Sequence, residues 1–157
     1  MLVFTEEEFD RVRGEAEAQY RNWSQIRCPF FQEAVHFNME GFRHLLFKSW
    51  NRGRDRSDQF MRLKHLARAP EILRLSRTVQ GVQQTQEWER QHRHGRWEST
   101  LVAVTYFEFV AVLDGRRFKV IVKQLAEGRR VFWSLIPFWR QAGQGNRLLH
   151  DGNPAED

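Results

Sequence analysis

TLVAVTYFEFVAVLDGRRFKVIVKQLAEGRRVFWSLIP, residues 100–137, decides the fold. Three runs rich in β-branched and aromatic residues are separated at Asp114-Gly115 and at Glu127-Gly128. Asp-Gly between apolar runs marks a hairpin, because glycine accepts the positive φ of a tight turn. The stretch therefore predicts a three-stranded antiparallel meander. Side chains alternate faces along a strand. In the second strand Phe118, Val120 and Val122 then form an apolar face, and Lys119, Ile121 and Lys123 the other. That second face is either a solvated sheet surface or a basic floor for an anion. In the third strand Val131, Trp133 and Leu135 are expected on one face, and Phe132, Ser134 and Ile136 on the opposite one.

Upstream, Val82, Gln84, Gln86 and Trp88 alternate with Gln83, Thr85 and Glu87, so 79–93 is expected to add a fourth strand. His92-Arg-His-Gly-Arg96 makes the basic turn that follows it. The first half of the chain has helical signals. Thr5 ahead of Glu6, Glu7 and Glu8 is a capping box, with acids at the positive end of the helix dipole. Phe9, Val12, Ala16 and Tyr20 keep helical spacing to about Trp23. Residues 26–31 contain Pro29 and are expected to be a loop, and 34–38 a short extended piece. Asn38 caps a helix expected over about 40–50, with Phe42, Leu45 and Leu46 inward and His44 one turn before Lys48. Residues 51–57 are expected to be a mobile basic loop suited to meeting phosphates. A helix starting at Ser57 or Asp58 should stop at Ala69-Pro70, and Pro70 suits the first turn of one more helix. Helices first and an antiparallel sheet after them define an α+β class. Residues 1–140 are expected to form one domain, with a loosely packed tail at 141–157.

The bulk numbers narrow the function. A chain of 157 residues, 41% hydrophobic and 13% aromatic, is enough for one domain with a core. Cys28 is the only cysteine, so an intrachain disulfide framework and a cysteine zinc cage are excluded. The N-terminus runs directly into Glu6–Glu8 without a secretory leader pattern, and no apolar run is long enough to span a bilayer. A cytoplasmic protein without membrane contact is the expectation. The formal charge is +5 and the pI about 10.0. Residues 48–77 hold nine Lys or Arg against three acids, a net +6, while the N-terminal helix is acidic. That polarity suits one anion-binding side.

Several chemistries lack their residues. There is no His-Glu-x-x-His or acid cluster at metal-ligand spacing, and two histidines (His92 and His94) in an arginine-rich turn suit a surface better than a metal. There is no Gly-x-Ser-x-Gly for a serine nucleophile, and Gly143-Gln-Gly145 has no strand–helix setting for a phosphate loop. Neither a metal nor an organic cofactor is expected. Acid–base chemistry on RNA remains. RNA supplies its own nucleophile, the 2′-hydroxyl, so a base, an acid and cations around the phosphorane suffice. His44, Lys48, Arg62, Lys119, Lys123 and Ser134 are the right types.

Gly41-Phe-Arg-His44, the helix around Arg62, Lys119–Lys123 and Phe132-Trp-Ser-Leu-Ile-Pro137 together resemble the barnase–EndoU–colicin–RelE-like ribonucleases, in their phage-associated and polymorphic-toxin branches. The likeness covers residues 35–137. The whole chain also resembles a family of small basic proteins of candidate-phyla bacteria, which implies no activity. The first resemblance implies a toxin-like, metal-independent endoribonuclease acting on tRNA, mRNA or rRNA, with an antitoxin or immunity protein as partner. It implies His44 as acid or base, Arg62 and Lys123 on the scissile phosphate, and Ser134 hydrogen-bonding it. Lys48, Arg52, Arg54, Arg56, His65 and Lys119 are the expected further RNA contacts. The general base is not placed by the likeness; Glu108 and Glu98 are candidates. Two other readings stand beside it. One is a non-catalytic RNA- or ribosome-binding protein using Trp50 and Trp97 to stack on bases. The other is an interaction domain whose acidic first helix docks a partner.

Overall fold

A computed structural model describes residues 3–141, 145–147 and 153–157. The class is α+β, with four helices and a mixed sheet of six strands in the described residues. In chain order these are α1 (Glu6–Trp23), β1 (Gln25–Cys28), β2 (Glu33–His36), α2 (Met39–Leu46), β3 (Phe47–Ser49), β4 (Arg52–Gly53), α3 (Arg56–Lys64), α4 (Arg68–Leu75), β5 (Gly81–Arg93), β6 (Arg96–Leu113), β7 (Arg116–Leu125), β8 (Arg130–Gln141) and β9 (Gly145–Arg147). The main sheet runs β1-β2-β8-β7-β6-β5, with β9 added on β8, and β3-β4 make a separate hairpin.

The meander forms as the sequence indicates. β6 pairs antiparallel with β5 and β7, and β7 with β8. Asp114 (φ 50°) and Gly115 (φ 73°) make the tight turn between β6 and β7. The sheet is larger than the expected three to four strands. The piece expected as a loop at 26–31 supplies β1, and β2 joins it antiparallel, Gln25 facing His36 through Cys28 facing Glu33. β2 then lies parallel to β8 at His36–Val131. Strands of four residues carry too little periodicity to announce a pairing across ninety-odd residues.

All four helices pack on one sheet face. Phe9, Ala16 and Tyr20 of α1, Phe42, Leu45 and Leu46 of α2, Phe60 and Leu63 of α3, and Ala69, Ile72 and Leu73 of α4 share a core with Phe109, Phe118, Val120, Val122, Phe132 and Leu135. The closest approach is at Gly41 of α2. A Cβ there would lie 2.2 Å from the Phe132 carbonyl oxygen and 2.8 Å from the Tyr20 hydroxyl, so only glycine lets α2 lie this low on β8. The Tyr20 hydroxyl donates to the Asn38 carbonyl at 2.5 Å, and Asn38 caps α2 by accepting from the Gly41 N–H at 3.0 Å.

Helix limits differ from the expected ones for local reasons. α2 ends at Leu46, not near Trp50, because Phe47 turns extended (φ −131°) and starts the β3-β4 hairpin. The basic stretch 51–57 is therefore a strand and a cap, with Arg54 buried, and not a free loop. α3 begins earlier than expected, because the Asp55 carboxylate accepts from the Asp58 N–H at 2.8 Å. Ala69-Pro70 stops no helix; it lies in the first turn of α4, where a missing N–H has no helical acceptor.

In the described part of the main sheet the period of two fails in β8. Ile121 faces Ser134 but Val122 faces Phe132, so Trp133 is an extra residue in a β-bulge. Phe132 and Leu135 go to the helix-side core. Trp133 and Ile136 go to the opposite face, with Val104, Tyr106 and Ile121. The expected grouping of Trp133 with Val131 and Leu135 is thus corrected. The tail expected at 141–157 falls largely outside the described residues. Of those described, Gly145–Arg147 pair with β8, and within 153–157 Pro154 and Asp157 are buried.

Candidate nucleic-acid interface

α2 and α3 lie against β8, which is bridged to β2 at one position and also paired with β9. His44 comes from the last turn of α2, Arg54 from the link after β4, Asp58 and Arg62 from α3, Lys123 from β7, and Trp133 and Ser134 from the bulge. The chain brings these groups together because each element is fixed by apolar packing on its other side.

Trp133 is the common surface. The His44 ring stacks on it, centroids 4.1 Å apart and 21° from parallel. The Lys123 ammonium lies 4.2 Å from the Trp133 ring centroid and 3.8 Å from the Glu89 carboxylate. Lys123 is 6% exposed, so it belongs to the interior and not to a solvated sheet face. Arg54 Nη2 is 3.1 Å from His44 Nε2, and its Nε donates to the His44 carbonyl at 3.0 Å. A guanidinium has no acceptor, so Nε2 accepts and the ring proton sits on Nδ1. Burial, then Arg54, Arg62 and Lys123, push the His44 pKa down to about 2, which keeps it neutral.

Arg62 is fully buried. Its Nε donates to Asp58 at 2.6 Å, and its Nη1 to Ser134 Oγ at 2.7 Å. Burial lowers its pKa, opposed first by Asp58. Asp58 also faces Arg54 at 3.7 Å, so one carboxylate serves two guanidinium groups.

The focus of the cluster is an oxygen. The main-chain oxygen of Asp157 accepts from Arg62 Nη1 at 2.5 Å, Ser134 Oγ at 2.8 Å and Arg54 Nη2 at 3.0 Å. Arg54 Nη2 also donates to the Glu156 carbonyl at 2.8 Å, and the Trp133 indole N–H to the Pro154 carbonyl at 3.1 Å. Two guanidinium groups and a hydroxyl aimed at one oxygen make a seat for an oxyanion. In this fold, the seat holds residues of the same chain.

His44, Arg62, Lys123 and Ser134 thus converge, and Arg54, expected only as an RNA contact, lies at their centre. Arg52 sits at the rim, 2.6 Å from the Glu156 carboxylate. Lys48 is half-buried on β3, next to the exposed Trp50. Three expected contacts lie elsewhere. Arg56 covers the Phe9 ring at 4.2 Å and faces Glu6 at 3.6 Å. Lys119 pairs with Glu108 at 3.5 Å, four residues before Lys123 on β7. His65 caps α3 with its ring 5.5 Å from Phe118, and burial followed by Arg116, Lys64 and Arg68 lowers its pKa to about 4.

Sequence reasoning missed Glu87, Glu89 and Tyr106. Glu87 accepts from the Tyr106 hydroxyl at 2.8 Å, and burial followed by Glu87 raises the tyrosine's pKa. Glu89 reaches Lys123, whereas Glu98 pairs with Arg96 out on the hairpin. Parity was the available signal: Glu87 and Glu89 face Val102 and Thr100 on the same side of the sheet as Tyr106 and Lys123. Among the described residues no group of three His, Cys, Asp or Glu could hold a metal, and no helix is long and apolar enough to cross a membrane. Comparison with family models, curated proteins and solved structures gives no match.

Proposed function

We propose that the protein is a metal-independent endoribonuclease that seats the scissile phosphate between Arg54, Arg62 and Ser134. The observation that carries this reading is the convergence of three donors on one oxygen, with His44 and Lys123 stacked on the adjoining Trp133. An RNA phosphate oxygen in that position would take the same three hydrogen bonds. In the proposed reaction Arg54 turns from His44 Nε2 to the phosphate, the 2′-oxygen attacks phosphorus as its proton passes to the freed Nε2, and the P–O5′ bond breaks as the Lys123 ammonium protonates the leaving oxygen. The products are a 2′,3′-cyclic phosphate and a 5′-hydroxyl. Arg54 and Arg62 meet the phosphorane charge where water is excluded, which is where such donors act most strongly. His44, left protonated, returns its proton through solvent to Lys123, and the Glu89 carboxylate beside Lys123 favours the ammonium form. The toxin-like role and an antitoxin or immunity partner remain implications of the family likeness.

A second reading is favoured by the His44 environment. A ring held neutral by burial first and then by three cations is a weak base, and the seat then suits an RNA binder without turnover. Incubating a mixed-sequence RNA oligonucleotide in excess EDTA separates the two. Cleavage abolished by His44→Ala and by Lys123→Ala supports the nuclease. Salt-sensitive binding with intact RNA supports the binder. Neither binding nor cleavage removes both.

A further inference from the structure

We infer that Asn153–Asp157 is a ligand carried in cis, an acidic peptide that occupies the anion seat and must leave before an external anion can enter. The site is assigned to peptide as well as phosphate, because its donors already hold a peptide's oxygens. The segment is tied by four kinds of contact. Its main-chain oxygens at Pro154, Glu156 and Asp157 take the donors of Trp133, Arg54, Arg62 and Ser134. The Glu156 carboxylate meets Arg52 on the β3-β4 hairpin. Ala155 packs on the apolar patch of Val104, Tyr106, Ile121, Trp133 and Ile136. A local turn preorders the segment, through Glu156 N–H and Asp157 N–H donating to the Asn153 carbonyl at 3.0 and 2.9 Å.

Arg54, Arg62 and Ser134, the donors that a phosphodiester would need, are among the groups that the segment engages. Occupation is therefore exclusive by geometry. Asp157 Oδ and Glu156 carboxylates also bring negative charge to a place where Arg54, Arg62 and Lys123 concentrate positive charge, so the segment competes in charge as well as in space. The segment is short, with Asn153 exposed and Ala155 and Glu156 half-buried, and a short segment held this way exchanges more readily than the core beneath it. Only the statement that RNA is the displacing anion rests on the function proposed above.

The test uses the full chain with the paired change Ala155→Asp and Glu156→Gln, which leaves net charge unchanged. The first puts a carboxylate against the apolar patch; the second removes the Arg52 ion pair. Inorganic pyrophosphate and an RNA oligonucleotide are the probes, and the Trp133 indole N–H, assigned with Trp133→Phe, reports release by its solvent-exchange rate in NMR. We expect exchange to rise at least tenfold and pyrophosphate and RNA to bind at least fivefold more tightly than to the unaltered chain. Tighter pyrophosphate with unchanged RNA keeps the inference and removes the RNA reading. An exposed indole with no gain for pyrophosphate overturns the inference, because the vacated seat then has no use for an anion. Should the paired variant leave the indole protected, Pro154→Gly, which loosens the turn, is measured in the same way. Protection and affinity unchanged in both variants mark the segment as a fixed part of the fold and also overturn the inference.

Discussion

Lowering the pH should destabilise the fold through His44, and the size of the effect follows from its surroundings. The folded chain keeps this ring neutral down to about pH 2, because burial and Arg54, Arg62 and Lys123 oppose its charge. The unfolded chain has the ordinary value near 6.5. Below 6.5 the unfolded state therefore binds a proton that the folded state refuses, and stability falls as the pH falls. Each pH unit is worth about 1.4 kcal/mol, so lowering the pH from 6.5 to 5.0 costs about 2 kcal/mol through this residue. For a domain of this size that is roughly 4–8 °C in Tm. His65, its pKa lowered to about 4 by burial first, adds a comparable share in the same window, because its folded value also lies below pH 5. Urea unfolding at pH 7.5, 6.5, 5.5 and 5.0 measures the slope. His44→Gln, whose amide oxygen can still accept from Arg54, should lower stability at pH 7.5 yet lose most of the His44 slope. His65→Gln should remove its own, comparable share and leave the His44 share in place. Parallel curves for the unaltered chain and His44→Gln would refute the argument, because they mean that the ring in the folded chain takes up its proton as freely as in water.

Other outcomes follow from single contacts. Gly41→Ala should lose about 3 kcal/mol, the upper end for overpacking, because the new methyl meets a carbonyl oxygen that cannot swing aside; a loss under 1 kcal/mol by urea titration would mean α2 sits higher on β8. Arg62→Met should cost about 3–5 kcal/mol, since it leaves Asp58 buried without its nearest cation, and adding Asp58→Asn should recover part of that; no recovery would count against the charge argument. Trp88→Ser and Trp97→Ser, on the exposed β5-β6 hairpin, should each change stability by less than about 0.5 kcal/mol in the same titration.

The sequence disclosed the meander because both of its cues are local: β-branched runs and an Asp-Gly turn. It disclosed α1 for the same reason, through Thr5 and Glu8. β1 was not legible, and β2 was legible only as a short extended piece at 34–38 without its partners, since each is four residues long and β2 finds its neighbour in β8. Trp133 was misassigned to the wrong face because a bulge has no reliable mark in sequence; alternation is only a rule for strands that keep register. The site residues His44, Arg62, Lys123 and Ser134 were named by chemical type and family likeness, and the fold brings them within one cluster. Arg54 looked like one more loop cation. Its role at the seat depends on the hairpin that follows α2, which no periodicity in residues 47–53 announces. Glu89 was passed over because its strand reads as polar on both faces. The occupant of the seat was missed for a plainer reason: Asn153–Asp157 looks like solvated chain, and it meets the cluster largely through main-chain oxygens.

The measurement closest to the heart of the account is end-group analysis of an RNA oligonucleotide incubated with the full chain in EDTA, beside the same sequence as DNA. The account expects 2′,3′-cyclic phosphate and 5′-hydroxyl ends from the RNA, lost with Lys123→Ala, and intact DNA. Cleavage of both strands, or ends bearing a 5′-phosphate, would contradict it.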